Sequence, residues 1–233
     1  MVNSRSNMDC ELHYGKIRKL VVAIIPDGNR RYAEKKNISY REAYSLSANS
    51  IEKLFHWAKN RDIKSLIIWA LSTDNFKKRS LAERRILFDI FVKKAEKYLK
   101  KKLEGVNVYF IGQIYKLPNN VKNAVRRLEE EYNNVIKPLK IYILLNYSGE
   151  AELLSAFNNR KNKTKSLRDC LWLKEDIDLI IRTGGERRLS NFAIYQSRYA
   201  ELYFIDKLFP EVTVKDLDKA LEHFYKVERR FGR

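Results

Sequence analysis

The sequence is poor in cysteine and histidine. Of its 233 residues, two are cysteine (Cys10, Cys170) and three are histidine (His13, His56, His223). Two cysteines build no disulfide framework and suit a reducing compartment. The histidines are too scattered for a zinc site. No apolar run approaches the ~20 residues of a membrane span. The opening MVNSRSNMDCELHYGK lacks the apolar segment of a secretory signal. The expectation is a cytoplasmic chain with at most peripheral membrane contact. No GxxxxGK[ST] and no GxGxxG follows a strand-like run, so ATPase and dinucleotide-binding readings lack their motifs. Acid is also scarce: 29 Asp and Glu stand against 47 Lys and Arg, a formal net charge of +18. That surplus fits a solvated basic surface, nucleic acid, an anionic membrane or a multiply charged substrate, and charge alone does not choose.

What is present is enough to build a core, at 45% hydrophobic and 33% charged. Strand-like apolar runs occur at 19–25, 64–71, 106–111, 139–145 and 177–181, with a shorter one at 202–205. Helical periods lie between them at 41–59, 80–103, 119–133, 149–160 and 214–229. Ser80 and Glu83 have capping-box spacing, and Thr213 and Asp216 repeat the start signal for the last helix. Continuous apolar strands alternating with helices predict an α/β fold, a single domain with a mostly parallel sheet of about six strands covered on both faces. The polar stretch 158–168 (NNRKNKTKSLR) reads as an exposed loop, and residues 1–17 as a polar extension.

The informative residues follow the strands. After the first comes Asp27-Gly28-Asn29-Arg30-Arg31, after the second Ser72 to Arg79, after the fourth Asn146 to Glu150, and after the fifth Arg182 to Asn191. In a parallel sheet these ends lie side by side, and ligands bind beyond them. Asp27 is a hard oxygen ligand, and Mg²⁺ takes one or two carboxylates plus phosphate oxygens. Gly28 lets the backbone approach closely, and the next helix start offers N–H groups to an anion. Arg31, Arg182, Arg187 and Arg188 present planar forks that suit phosphate. Gly184-Gly185 lets its loop curl with N–H groups inward. Asp-Gly-Asn alone is an ordinary turn. Three arginines and a serine around Gly-Gly, directly after an apolar strand, form a more specific pattern.

These segments resemble the cis-prenyltransferases, the undecaprenyl and dehydrodolichyl diphosphate synthases. The likeness spans roughly residues 18–232, which makes 18–233 a cis-prenyltransferase-like catalytic domain. It is carried by IIPDGNRRYA, LSTDNFKKRS, the Asn146-Tyr147-Ser148-Gly149 turn, the long segment 178–210 and VERRFG at 227–232. The resemblance implies condensation of isopentenyl diphosphate with an allylic diphosphate such as farnesyl or geranylgeranyl diphosphate, giving cis double bonds for lipid-carrier synthesis. It implies Mg²⁺ on Asp27, with Glu201 as a second metal-linked carboxylate acting beside a neighbour's site in a homodimer, or in a heteromer with a related chain. It gives the allylic diphosphate to Gly28, Asn29, Arg30, Arg31 and Tyr32. It gives the diphosphate of isopentenyl diphosphate to Arg182, Arg188, Leu189 and Ser190. Asn75 stands by the reacting carbons, with Ser72, Thr73, Asp74, Phe76 and Lys78 around it. Ile86, Leu87, Ile90 and Phe91 become candidates for the wall of a product tunnel.

The chain departs from the family at several positions. Val21 stands where His is usual and Pro26 where Met is. Tyr32 and Phe76 replace Trp, and Tyr40 and Tyr44 fall where Arg and His are expected. Lys78-Arg79-Ser80 replaces Arg-Pro. Leu144 and Leu145 are bulkier than the small residues common there and would shorten the product if they face the tunnel. Against the active enzyme stand two other readings: a non-catalytic partner subunit, and a nucleic-acid-binding α/β protein. The latter needs a basic stripe with exposed aromatics, whereas these arginines sit at strand ends, so no nucleic acid is expected.

Overall fold

The computed structural model describes residues 19–61, 63–160 and 166–229. The extension 1–17, the centre of the 158–168 stretch and the Arg230-Phe231-Gly232 tail lie outside the described residues. Six strands, β1 (Val21–Ile25), β2 (Ser65–Ser72), β3 (Val106–Ile111), β4 (Leu139–Tyr147), β5 (Leu179–Thr183) and β6 (Glu201–Ile205), form one sheet in the order β3-β4-β2-β1-β5-β6. Every pairing is parallel. Among the described residues, eight α-helices connect or flank them: α1 (Asn29–Lys36), α2 (Tyr40–Asn60), α3 (Thr73–Lys78), α4 (Leu81–Lys100), α5 (Asn119–Tyr132), α6 (Gly149–Asn159), α7 (Leu167–Cys170) and α8 (Val214–Lys226).

Strand β1 explains why the apolar runs are continuous rather than alternating. Val22 and Ile24 face one core, shared with Leu54 of α2, Leu128 of α5 and Leu217 of α8. Val21, Ala23 and Ile25 face the other, with Leu173, Ile177 and Phe192. All five are buried, and each Val or Ile contributes about 1.5–3 kcal/mol by leaving water. The helices begin where hydroxyls cap them. Ser39 accepts from the Glu42 N–H, Ser80 from Glu83, and Thr213 forms a full capping box with Asp216. At Ser80 the reciprocal half is missing, because the Glu83 carboxylate turns to Tyr44 and Arg79 instead.

Two features differ from the sequence reading. Strand β5 runs on to Thr183, so Arg182 is a strand residue and not part of the loop that follows. It pairs with Ile25 on one side and Phe204 on the other and is only 5% exposed. Helix α1 supplies the helix start expected after Gly28, although no periodic range marks it, and the short helix α3 is not anticipated; both start at strand ends that carry site candidates.

The order of strands places a crevice. From β1 the chain passes to β2, on to the edge strand β3 and back to β4 between them, then returns to add β5 and β6 on the other side of β1. The β1–β2 connection therefore leaves the C-terminal end of the sheet in one direction and the β5–β6 connection in the other, which opens the sheet to a ligand between β1 and β5. Asp27 lies there, two residues beyond β1.

Candidate active site

Thr183 sets the backbone of Asp27. The Asp27 N–H donates to Thr183 Oγ1 at 2.9 Å, and the hydroxyl donates back to the Asp27 carbonyl at 3.0 Å. Thr183 is fully buried, so this clamp does not compete with water. The Asp27 carboxylate then meets three donors. Arg182 Nη2 reaches Oδ2 at 2.8 Å, while the Gly28 N–H and Arg31 Nη2 reach Oδ1 at 2.6 and 3.3 Å. The other arm of Arg182 donates to Ser190 Oγ at 3.0 Å and to the Arg188 carbonyl. Arg188 itself is exposed and pairs with Glu186. Sequence reasoning singled out Asp27, Arg182, Arg188 and Ser190, and the fold brings them to one spot. It did not single out Thr183, whose role shows only when β5 lies beside β1.

The close approach of the two loops depends on glycine. Gly184 has φ +85°, and a Cβ there would stand 2.8 Å from Arg31 Nη2 and 3.1 Å from the Asp27 backbone. Gly28, with φ +99°, precedes α1, and a Cβ there would meet Leu208 Cδ2 at 2.7 Å. No side chain caps α1, and its first intrahelical bond comes from Tyr32 N–H to Gly28 O at 2.8 Å. The N–H groups of Asn29, Arg30 and Arg31 thus have no acceptor within the helix, and the positive end of the helix opens onto the crevice. Asn29 is fixed by Ser47 of α2, whose hydroxyl donates to Asn29 Oδ1 at 2.5 Å.

The end of β2 supplies the facing wall. Ser72 caps α3 by accepting from the Asn75 N–H at 3.0 Å, which turns Asn75 toward the crevice. Beyond α3 lies Arg79, which the sequence reading did not count as a site residue; the basic run 77–79 was the available signal. Its guanidinium sits 5.3 Å from the centre of the Tyr44 ring and pairs through Nε with Glu83 at 3.2 Å. Tyr44 donates its hydroxyl to the same carboxylate. Burial, with Glu83 beside it, pushes the Tyr44 phenol well above the ordinary tyrosine range, Arg79 only partly opposing the shift. Tyr44 is therefore a permanently neutral donor committed to Glu83, and Tyr40 points to Glu34 at 3.4 Å.

These groups surround one cavity of about 680 Å³. Its mouth carries six cations (Arg30, Arg31, Lys78, Arg79, Arg182, Arg188) against two carboxylates (Asp27, Asp74). Its depth is apolar, walled by Ile51 of α2, by Leu87, Phe88, Ile90 and Phe91 of α4, and by Leu145 of β4. Ile86 is not in that wall. Leu145 faces the cavity, but Leu144 is buried in the core on the other side of the sheet, since successive strand residues point to opposite faces.

Some candidates lie elsewhere. Gly28, Asn29, Ser72 and Lys78 line the cavity; Tyr32, Thr73, Phe76 and Leu189 do not. The Phe76 ring lies tilted against Phe88, centroids 6.4 Å apart, with the Arg84 guanidinium 5.0 Å from its ring centre. Leu189 packs in the second core, and Arg187 stands exposed outside the cavity. The Asn146–Gly149 turn does not reach the crevice, so three strand ends converge there, not four. The turn acts indirectly: the Gly149 and Glu150 N–H groups donate to Asn191 O and Oδ1 at 2.7 and 2.9 Å and so hold the loop that carries Ser190. Glu201 starts β6 at the opposite rim. Its register partner is Leu179, level with Val22, five residues and on the order of 16 Å short of Asp27 along the strands. There it pairs with Arg229 at 3.6 Å.

Among the described residues no cluster of three or more His, Cys, Asp or Glu could hold a metal by itself. Asp27 alone still suits a hard divalent cation that arrives with phosphate oxygens. Its side chain is one-third exposed, and a carboxylate has lone-pair sites to spare beyond those engaged by Arg182, Arg31 and Gly28. Among the described residues, no helix is long and apolar enough to cross a membrane.

Comparisons with known proteins agree with this geometry. Residues 25–232 match the family model for undecaprenyl diphosphate synthase. The chain is 37% identical to the geranylgeranyl-diphosphate-specific tritrans,polycis-undecaprenyl-diphosphate synthase of Pyrobaculum aerophilum, with 91% of this chain and 95% of that one covered. It is 35% identical to the isoprenyl transferase of Thermotoga maritima, over 91% and 95%. Its fold superposes on the crystal structure of lavandulyl diphosphate synthase from Lavandula x intermedia, in complex with dimethylallyl diphosphate, with a TM-score of 0.85 at 29% identity, covering 91% and 97% of the two chains. For a probable undecaprenyl diphosphate synthase from Campylobacter jejuni the values are 0.77 and 27%, over 93% and 100%. A cavity cationic at its mouth and greasy in its depth, on this fold and with these relatives, leaves one conclusion: the chain belongs to the undecaprenyl diphosphate synthase family and is a prenyl transferase.

Proposed function

We propose that the protein is a Mg²⁺-dependent cis-prenyl diphosphate synthase that extends an allylic diphosphate with isopentenyl diphosphate for a lipid carrier. Geranylgeranyl diphosphate is the proposed primer, in line with the specificity named for the Pyrobaculum relative. One observation carries the reading: a single cavity joins six cations and Asp27 at its mouth to an apolar interior. Diphosphates need the first and a growing hydrocarbon the second.

The roles follow from position. The N–H groups that open α1, with Arg30, Arg31 and Arg79, receive the allylic diphosphate. Arg182, Arg188 and Ser190 receive that of isopentenyl diphosphate. The allylic carbon–oxygen bond breaks and diphosphate departs. The terminal alkene carbon of the isopentenyl group forms the new carbon–carbon bond, which leaves positive charge on the branched carbon. The methylene on the far side of that carbon gives up a proton to the released diphosphate as its C–H pair becomes the new double bond. Asn75 orients that group, since an amide is a poor base, and the departing diphosphate is the stronger base within reach. Asp27 would hold Mg²⁺ together with phosphate oxygens, and the bound ion would supply Lewis-acid stabilisation of the leaving diphosphate.

Glu201 is proposed to act in a homodimer, at its partner's mouth. The reading rests on its place at the far rim of edge strand β6, where the exposed Tyr199 and Leu202 flank it. The first test is incubation with geranylgeranyl diphosphate, labelled isopentenyl diphosphate and Mg²⁺. Polyprenyl diphosphates that vanish in Asp27→Ala support the reading; no product in the wild type refutes it. Mixing Asp27→Ala with Glu201→Ala chains then tests the shared site. Activity recovered only in the mixture supports it, and none recovered counts against it.

A further inference from the structure

The rim opposite the cavity mouth carries an exposed apolar pair. In a parallel sheet every strand starts at one rim and ends at the other, so the loops that lead into β3 and β4 lie far from Asp27. One of them, 133–138, presents Val135 and Ile136 side by side, 58% and 96% exposed. Ile136 is the most exposed large apolar side chain among the described residues. Single apolar side chains on a surface are ordinary. Here two adjacent ones sit on a loop whose backbone is fixed from beneath. The buried Asn107 of β3 donates through Nδ2 to the Tyr132 and Val135 carbonyls at 3.0 and 2.8 Å, and its Oδ1 accepts from the Lys137 N–H at 2.8 Å. Asn133 brackets β3 in turn, accepting from the Val108 N–H at 2.9 Å and donating to the Val108 carbonyl at 2.7 Å. Folding the pair back onto the core would break these bonds. Its exposure is therefore held, and little ordering cost remains when it meets a partner.

The surroundings are cationic. Lys137 follows the pair in the same loop. The neighbouring loop, 101–105, is tied to it: the Leu139 N–H donates to the Gly105 carbonyl at 3.4 Å, and the Leu103 N–H to the Tyr132 hydroxyl at 2.9 Å. That loop continues from the end of α4 and brings Lys100, Lys101 and Lys102 in a row. Lys59 joins them by donating to the Glu104 carbonyl at 3.2 Å. Two carboxylates, Glu104 and Glu131, stand among these five lysines, and among the described residues only Lys102 is paired, with Glu131. An aliphatic tip ringed by lysines suits a surface that is anionic on top and apolar a few ångströms down. Nucleic acid calls for aromatic faces on which bases stack, and valine and isoleucine offer none. A protein interface of ordinary size takes about 20–30 residues a side, far more than this small protruding patch.

We propose that this rim docks on an anionic lipid bilayer: Val135 and Ile136 enter the acyl boundary while Lys59, Lys100, Lys101 and Lys137 meet the headgroups. The cavity mouth, at the other rim, then faces the water. Strand β6, where the proposed homodimer forms, is at the opposite edge of the sheet from β3, so the two surfaces do not compete. The docking stands apart from chain elongation, since it needs no turnover. The test is co-sedimentation of the full chain with vesicles of phosphatidylcholine, alone or with phosphatidylglycerol. The wild type partitions onto the anionic vesicles and not the neutral ones, and added salt weakens the binding. Lys100→Gln, Lys101→Gln and Lys137→Gln together lower the partition coefficient by roughly fivefold per lysine. Val135→Ser with Ile136→Ser lowers it by about tenfold. Ile136→Trp still binds, and its added emission shifts to the blue and is quenched by brominated lipid. A thermal melt confirms that each variant is folded. A wild type indifferent to anionic vesicles overturns the proposal, as does a serine or glutamine variant that binds like the wild type. An oligomer that the serine variant loses in the absence of lipid would give this surface to a second copy instead. Oligonucleotide binding without vesicle binding, lost in the glutamine variant, would give it to nucleic acid; either result overturns the bilayer.

Discussion

Arg182→Lys keeps the charge at the centre of the site and removes its shape. The guanidinium of Arg182 spans three acceptors: Asp27 Oδ2 at 2.8 Å, Ser190 Oγ at 3.0 Å and the Arg188 carbonyl. A lysine ammonium is a single point on a flexible stem and cannot hold all three. The side chain is 5% exposed, so water does not readily take the place of a lost partner. Hydrogen bonds to charged groups contribute about 1.5–3 kcal/mol each. With relaxation, the net loss of one such bond in the bound state is about 2 kcal/mol, roughly 30-fold in rate at 1.36 kcal/mol per factor of ten. The expected result is kcat/KM for isopentenyl diphosphate lowered about 30-fold, with KM for the allylic primer little changed. Steady-state kinetics with each substrate varied in turn measures this, and a thermal melt checks that the variant is folded. A folded variant with wild-type kcat/KM for isopentenyl diphosphate would refute the assignment of Arg182. Equal losses for both substrates would show that Arg182 acts through Asp27 alone.

Two further outcomes are expected. Glu83→Gln still accepts from Tyr44 but loses its charge pairing with Arg79, so KM for the primer rises about fivefold, on the order of 1 kcal/mol; unchanged primer kinetics would separate Arg79 from the site. At the start of α8, burial works against the Asp216 charge, but Lys207 and the bonds with Thr213 outweigh it and pull its carboxyl to about 2 from an ordinary 3.8. Because the folded value is depressed, this stabilisation is present above the unfolded pKa and fades as pH falls from about 4 toward 2. Asp216→Asn therefore costs about 1 kcal/mol in denaturant titrations at pH 7 and progressively less below pH 4; a deficit independent of pH would rule out the capping account.

The fold and the main site differ in how far the chain alone determined them. Six apolar runs, the first five of them separated by helical periods, were sufficient for a parallel α/β sheet, because a strand buried on both faces must be apolar at every position, as β1 is. Local hydroxyl caps likewise marked the starts of α4 and α8. Polar residues at strand ends named Asp27, Arg182 and Ser190 because a parallel sheet gathers such ends by symmetry. The short helix α3 and the extent of α1 escaped, since six to eight residues are too few for a periodicity to declare itself. Thr183, Glu83 and the Asn146–Gly149 turn acquired their roles only through neighbours far away in the chain: Asp27 beside β5, Tyr44 across from α4, Asn191 above α6. The side of the sheet on which Leu144 and Leu145 fell depended on register, which a run of adjacent apolar residues does not encode. Composition and local pattern thus determined which elements form and where charge collects. Tertiary packing decided which charges meet, because a contact between residues some 150 positions apart has no local signal.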